Sequence, residues 1–218
     1  MTWQEIADQI NRKLVQFASP MVLTNEMIGL LNETYNDLIN EWHALTFERD
    51  ERAIQLLAPL KQVSTAVAVT GSIFYIDNTV FPGGLRWIST MRGNFVQSCS
   101  AVAESRSIEF LSDNDISDLE NPLRKPDNDH PRYRIWYDTS ASKKKVTIYA
   151  TTVPATVDVM YYRNPAILAS ITGTPEVSLE GHFDIVRRAV YKQCGINYDQ
   201  RTPIAKSETD TDLQIKVT

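Results

Sequence analysis

Three runs of alternating side chains, Tyr133–Tyr137, Lys145–Ala150 and Val157–Tyr161, constrain this chain more than any other feature. Period-two alternation puts one face of each run in a core and the other in solvent, which is the pattern of a half-buried strand. The polar stretch Asp138–Lys144 between the first two reads as a hairpin tip, and Pro154 separates off the third. An acidic, proline-broken segment, Asp113–Pro131, precedes them. Tyr162, Arg163, Asn164 and Pro165 follow, and then a helix beginning near Gly181. The layout predicts a three-stranded β meander set between helical segments.

The helices are signalled at both ends of the chain. Thr2 and Glu5 make a T-x-x-E capping box, and Ile6, Ile10, Leu14 and Phe17 follow on one helical stripe. Ser19-Pro20 ends it, because the residue before proline is pushed out of the helical region. A longer helix starts at Thr24 or Asn25, with Ile28, Leu31, Tyr35, Leu38, Trp42 and Leu45 at steps of three and four. Leu30 and Ile39 lie off that stripe and predict a wider apolar contact than one packing partner needs. A short helical piece reaches about Leu57. In the last helix Phe183, Val186, Val190 and Cys194 share a face.

From Val63 the texture turns to β. Val63, Thr65, Val67 and Val69 alternate with small residues, Gly71 marks a turn, and Ile73–Ile76 reads as a strand. Pro82-Gly83-Gly84 is a loop signal. Leu85–Met91 is predicted as a strand, Arg92-Gly93-Asn94 as its turn, and Phe95–Cys99 as the return. The fold class expected is α+β: N-terminal and C-terminal helices form a helical bundle into which an antiparallel β region is inserted. The expected organisation is residues 1–60 and 175–201 as the bundle, 61–174 as the β region, and 202–218 as an extended tail. In that tail Leu213, Ile215 and Val217 alternate with Asp212, Gln214 and Lys216, as in a short edge strand.

At 218 residues with 43% hydrophobic side chains, the chain has enough apolar material for a real core. Its net charge of −5 gives no bulk attraction to nucleic acid or anionic lipid. The first residues lack the basic and apolar regions of a signal peptide, and no apolar run approaches the roughly 20 residues needed to span a bilayer. The expectation is a chain made and used in soluble form, with no membrane partner. Cys99 and Cys194 sit in no CxxC pattern and are read as reduced thiols, their pairing left open.

No motif for catalysis, metal or cofactor emerges. His43, His130 and His182 do not stand at ligand spacing from one another, and no HExxH occurs. Asp113, Asp115, Asp118 and Glu120 lack the central glycine of a calcium loop, and Asp115 and Asp118 are read as solvating and capping a helical turn. Phosphate-cradling glycine motifs and a GxSxG elbow are also missing from the sequence. The expectation is therefore no enzyme and no cofactor. Lys143, Lys144 and Lys145 form the one basic cluster. It is read as a solvated turn or, alternatively, as a contact for DNA phosphates or an acidic partner.

Five segments in order carry a resemblance: LLNETYNDLINEW, GGLRWISTMRG, KPDNDHPRYRIW, KVTIYATTVPATVDVMYYRNP and HFDIVRRAVYKQC. Across roughly residues 21–200 the chain resembles the head-to-tail connector (adaptor or ring) proteins of tailed bacteriophages, including the tubular adaptors of short-tailed phages. The resemblance implies a structural virion protein at the tail vertex, made in the host cytoplasm. It implies a ring, commonly of twelve copies, beneath the portal protein. Such a ring extends the DNA channel, passes duplex DNA without specific binding, and docks further tail or ring proteins. Leu30, Ile39, Leu213, Ile215 and Val217 are the residues expected at subunit or partner interfaces. The alternative reading is a tail-associated receptor- or carbohydrate-binding β module.

Overall fold

The computed structural model describes residues 1–17, 19, 21–97 and 102–195. The chain divides into two compact units: Met1–Pro59 with the residues from Ala166 onward, and Leu60–Pro165.

The first unit is helical. Helix α1 (Trp3–Gln16) opens with the capping box: Glu5 N–H donates to Thr2 Oγ1 at 3.2 Å, and Thr2 N–H donates to Glu5 Oε2 at 2.8 Å. Ile6, Ile10 and Leu14 are wholly buried. Helix α2 (Thr24–Phe47) buries Met27, Leu31, Tyr35, Leu38, Ile39 and Trp42; its cap is Leu23, so Thr24 already lies inside it. Helix α3 (Glu51–Leu57) starts at Asp50, whose carboxylate accepts the Ala53 N–H at 3.1 Å. Helix α4 (Leu179–Gln193) packs against α1 and α2. The stretch after Ala166 joins this unit through its backbone. Asn32 donates to Leu168 O and accepts from Leu168 N–H, at 3.0 and 2.9 Å, and Trp3 N–H donates to Gly173 O.

Helix α4 approaches closely because Gly181 has no side chain. A Cβ there would lie 2.9 Å from Val177 Cγ2, 3.2 Å from Trp42 Cη2 and 3.3 Å from Leu56 Cδ2. Beside it, His182 is buried with Nε2 3.1 Å from Val177 O. Burial holds its pKa below the ordinary 6.5, the positive amino terminus adding to the effect.

The second unit is a single seven-stranded sheet. Its strands are β1 (Lys61–Ala68), β2 (Ile73–Tyr75), β3 (Leu85–Val96), β4 (Ala103–Phe110), β5 (Arg132–Asp138), β6 (Lys143–Tyr149) and β7 (Thr156–Arg163), in the order β1-β7-β3-β4-β5-β6-β2. Strands β1 and β2 are consecutive in the chain but occupy opposite ends of that order. Laid flat, seven strands would hold their outer members about 29 Å apart. The link Val69–Ser72 spans at most about 18 Å between Ala68 and Ile73. The sheet must therefore curl, and Thr70 and Ile73 bridge the tight turn that carries the chain from one edge strand to the other. The concave side is filled by Val67, Phe74, Met91, Phe95, Val159 and Tyr161, among others. Phe81, from the loop after β2, is fully buried there and meets Tyr161 edge to face at 5.2 Å.

This sheet overturns the expected fold class. The chain is a mixed α+β protein whose curled sheet is as large a unit as the helices, not a helical bundle carrying an antiparallel insertion. Nor is the β region wholly antiparallel, since β4 and β5 pair in parallel. The meander fails as well: β5 and β6 form the hairpin, but β7 lies between β1 and β3. Alternation identifies a strand without naming its neighbour, and the free edge of β6 is taken by β2.

Two local expectations also change. Arg92-Gly93-Asn94 is not a turn; β3 runs straight through it for 12 residues. Gly93 is needed for close packing, because a Cβ would lie 2.9 Å from Pro154 Cγ and 3.1 Å from Phe95 Cε2. In β1 a bulge between Ser64 and Val67, with Ala66 at φ 52°, switches faces: Val63 points out and Val67 points into the core. Phe183 differs too. It is exposed on α4, while Ile185, Val186, Ala189 and Val190 are buried.

Gly181→Leu should lower unfolding stability by about 1–3 kcal/mol through overpacking, measured by denaturant unfolding. For His182, a depressed folded pKa means that the unfolded chain binds the proton more tightly. The stabilising contribution is complete above pH 6.5 and is lost as pH falls from there through the folded value. NMR titration of the His182 ring should give a midpoint below 6.5.

Candidate interaction surfaces

The acidic segment before β5 folds as a 3₁₀ helix, Asp113–Leu119, followed by a loop back into Arg132. Together they wall a crevice of about 500 Å³ in which acids (Glu109, Asp115, Asp118, Asp127) face bases (Arg124, Lys125, His130, Arg132). Asp118 is not the solvated cap that its position in the sequence implies. It is buried, with Arg132 Nη1 2.8 Å and Arg124 Nη1 3.8 Å from its carboxylate. Asp127 accepts the N–H groups of Asp129 and His130 at 2.9 and 2.7 Å, and lies 3.5 Å from His130 Nδ1. The crevice thus neutralises itself, and its ion pairs tie the loop to β5. Leu123 projects from its wall 93% exposed.

The basic cluster is offset in the same way. Lys143 Nζ lies 3.6 Å from Asp77, and Lys145 Nζ lies 3.4 Å from Asp138. The Ser140 hydroxyl, followed by the Ala141 N–H, the Tyr75 hydroxyl and Lys145, holds the Asp138 carboxyl below the usual carboxylate range. The Thr79 hydroxyl is the main group doing the same for Asp77. Two of the three lysines are therefore engaged by ionised carboxylates; Lys144 is exposed. The hairpin tip is a charged turn with its own counter-ions rather than a bare positive patch.

The expected interface residues fare unequally. Ile39 is wholly buried inside the helical unit, so it serves the chain's own core, and Leu30 is half-buried. Leu213, Ile215 and Val217 lie outside the described residues, as does Cys99. Cys194 is half-buried at the end of α4. His43 stacks edge to face on Phe47 at 5.0 Å.

Other apolar residues are left uncovered. Leu179 and Phe183, one turn apart on α4, are 57% and 56% exposed, and Phe47 and Ile167 on the same unit are more exposed still. Phe183 fits an inward stripe by spacing alone, so the exposed pair on α4 carries no signal in the sequence. On the β unit, β1 bonds to β7 along one edge. Its other edge borders a groove of about 360 Å³ walled by Thr79, Val80, Pro82 and Tyr161.

Among the described residues no group of three or more His, Cys, Asp or Glu is placed to hold a metal ion, and no helix is long and apolar enough to cross a membrane. No protein-family model matches the sequence, and no curated protein matches it.

Removing the Asp118 carboxylate strands Arg132 in a partly buried site. Asp118→Ala should cost about 1.5–3 kcal/mol in thermal or denaturant unfolding, and Asp118→Asn should cost less.

Proposed function

We propose that this chain is a structural subunit that assembles with copies of itself into a closed ring, and that the ring belongs to the head–tail junction of a tailed-phage virion. The observation that carries the assembly reading is the uncovered apolar pair on α4, Leu179 and Phe183. A leucine and a phenylalanine at i, i+4 form a ready-made hydrophobic patch, and a helix that leaves them in water gains by burying them against a partner. A ring needs two different complementary surfaces on each subunit. The α4 pair offers one on the helical unit. Leu123 and the outer edge of β1 offer surfaces of different chemistry on the β unit.

The placement in a virion rests on the order of the five sequence segments that resemble phage connector proteins. The charge supports it: at −5 net, with two of the three hairpin lysines facing carboxylates, the chain lacks the dense positive surface that grips phosphates. Such a surface would retard DNA moving through a channel. In this reading the partners are neighbouring copies, the portal protein and the next tail component, and duplex DNA passes without being bound.

Electron microscopy and mass photometry of the purified chain should show rings with a hole of about 20 Å or more, wide enough for a DNA duplex. The double variant Leu179→Asp, Phe183→Asp should dissociate the rings. Its unfolding stability should stay within about 0.5 kcal/mol, because both sites are exposed. A chain that stays monomeric alone and in virions would end the proposal.

A further inference from the structure

The curled sheet is left open at one seam. Along β1, the backbone hydrogen bonds found among the described residues run to β7 and, at Ala66 N–H, to the Asp158 carboxylate. The loop after β2 reaches β1 through a side chain: Ser64 Oγ donates to Val80 O at 2.7 Å. The outward N–H and C=O groups of Lys61–Thr65 therefore border the groove without a strand beside them. The bulge that protects many edges lies beyond Ser64, so the first half of β1 remains a regular template. Val63 in this stretch is an apolar side chain 56% exposed, where a protected edge would carry a charge or a proline.

The chain carries a segment suited to that edge. It continues for 23 residues past Gly195, and its last nine are Asp210-Thr-Asp-Leu-Gln-Ile-Lys-Val-Thr218. Leu213, Ile215 and Val217 would lie on one face of an added strand, with Asp212, Gln214 and Lys216 on the other. Val80 and Pro82 give the groove apolar surface for one set, and solvent beyond the edge suits the other, which matches that two-faced pattern. The 14 residues 196–209 can stretch to about 50 Å, enough to leave one copy and reach the next.

We infer that the outer edge of β1, over Lys61–Thr65, receives the C-terminal segment Asp210–Thr218 of a neighbouring copy as an eighth strand. Backbone hydrogen bonds supply the affinity, and the three apolar residues fix which face turns inward. The donor's being another copy rests on the self-assembly proposed above.

Hydrogen exchange on the full-length chain tests it, with Ile215→Pro as the comparison. Proline removes a strand amide and does not fit a paired strand, and the segment it disrupts is separate from the sheet it would join. The wild-type chain should protect Lys61–Ala68 from exchange, and the Ile215→Pro chain should lose that protection. Adding a synthetic peptide of residues 207–218 to the Ile215→Pro chain should restore it, while the same peptide carrying Ile215→Pro should bind at least about tenfold more weakly. Equal exchange of β1 in both full-length chains, or protection restored only on other segments, would overturn the inference. If rings form and the peptide does not bind, this docking fails alone. If β1 is protected in a chain that stays monomeric, the donor is the chain's own tail, and both this inference and the ring reading fail.

Discussion

Four residues, Val69–Ser72, join two strands that stand at opposite ends of the sheet, and the architecture of the β unit follows from that short tether. Because the tether cannot cross a flat sheet, the strands curl, and curling creates an inside. Phe74, Met91, Phe95, Val159 and Tyr161 meet there, and Phe81 enters from the loop after β2 to complete the filling. The same curl explains the bulge in β1. A strand that bends around a closing sheet needs an extra residue, and Ala66 supplies it in a left-handed conformation, with Asp158 accepting its N–H. The curl stops short of closure along most of β1, which leaves the seam.

Charge in this protein is arranged mostly in local, self-cancelling groups. Asp118 pairs with Arg132 and Arg124, Asp184 with Arg52 and Arg187, Lys192 with Glu33 and Asp37, and the hairpin lysines with Asp77 and Asp138. Each group stabilises its own loop or helix contact by a modest amount. What is left over is of two other kinds: exposed apolar side chains, the α4 pair and Leu123, and the backbone hydrogen-bonding edge of β1. The proposed self-assembly draws on those exposed groups.

Much of the local structure could be read from residues alone. The T-x-x-E box and the stripe Ile6, Ile10, Leu14 announce α1, and the alternating runs announce β5, β6 and β7. Those signals depend only on neighbours within a turn of helix or two residues of strand, so no distant contact can hide them. Gly93 shows the limit. A glycine between Arg and Asn looks like a turn, yet here it makes room for Pro154, a residue 61 positions on. Ile39 and Phe183 show it again. Helical spacing cannot say which neighbour covers a given face, so one side chain read as surplus is core, and one read as core is exposed.

Adjacent residues alone fix the course of α1 and of the alternating runs, the net charge of −5, and the apolar–polar alternation around Ile215, because these are local properties. Contacts between distant residues place β7 between β1 and β3, bury Asp118 between arginines, and leave β1 at an open edge. The reason is physical: strand partners and ion pairs are chosen by contacts across the folded chain, and no window of adjacent residues contains them.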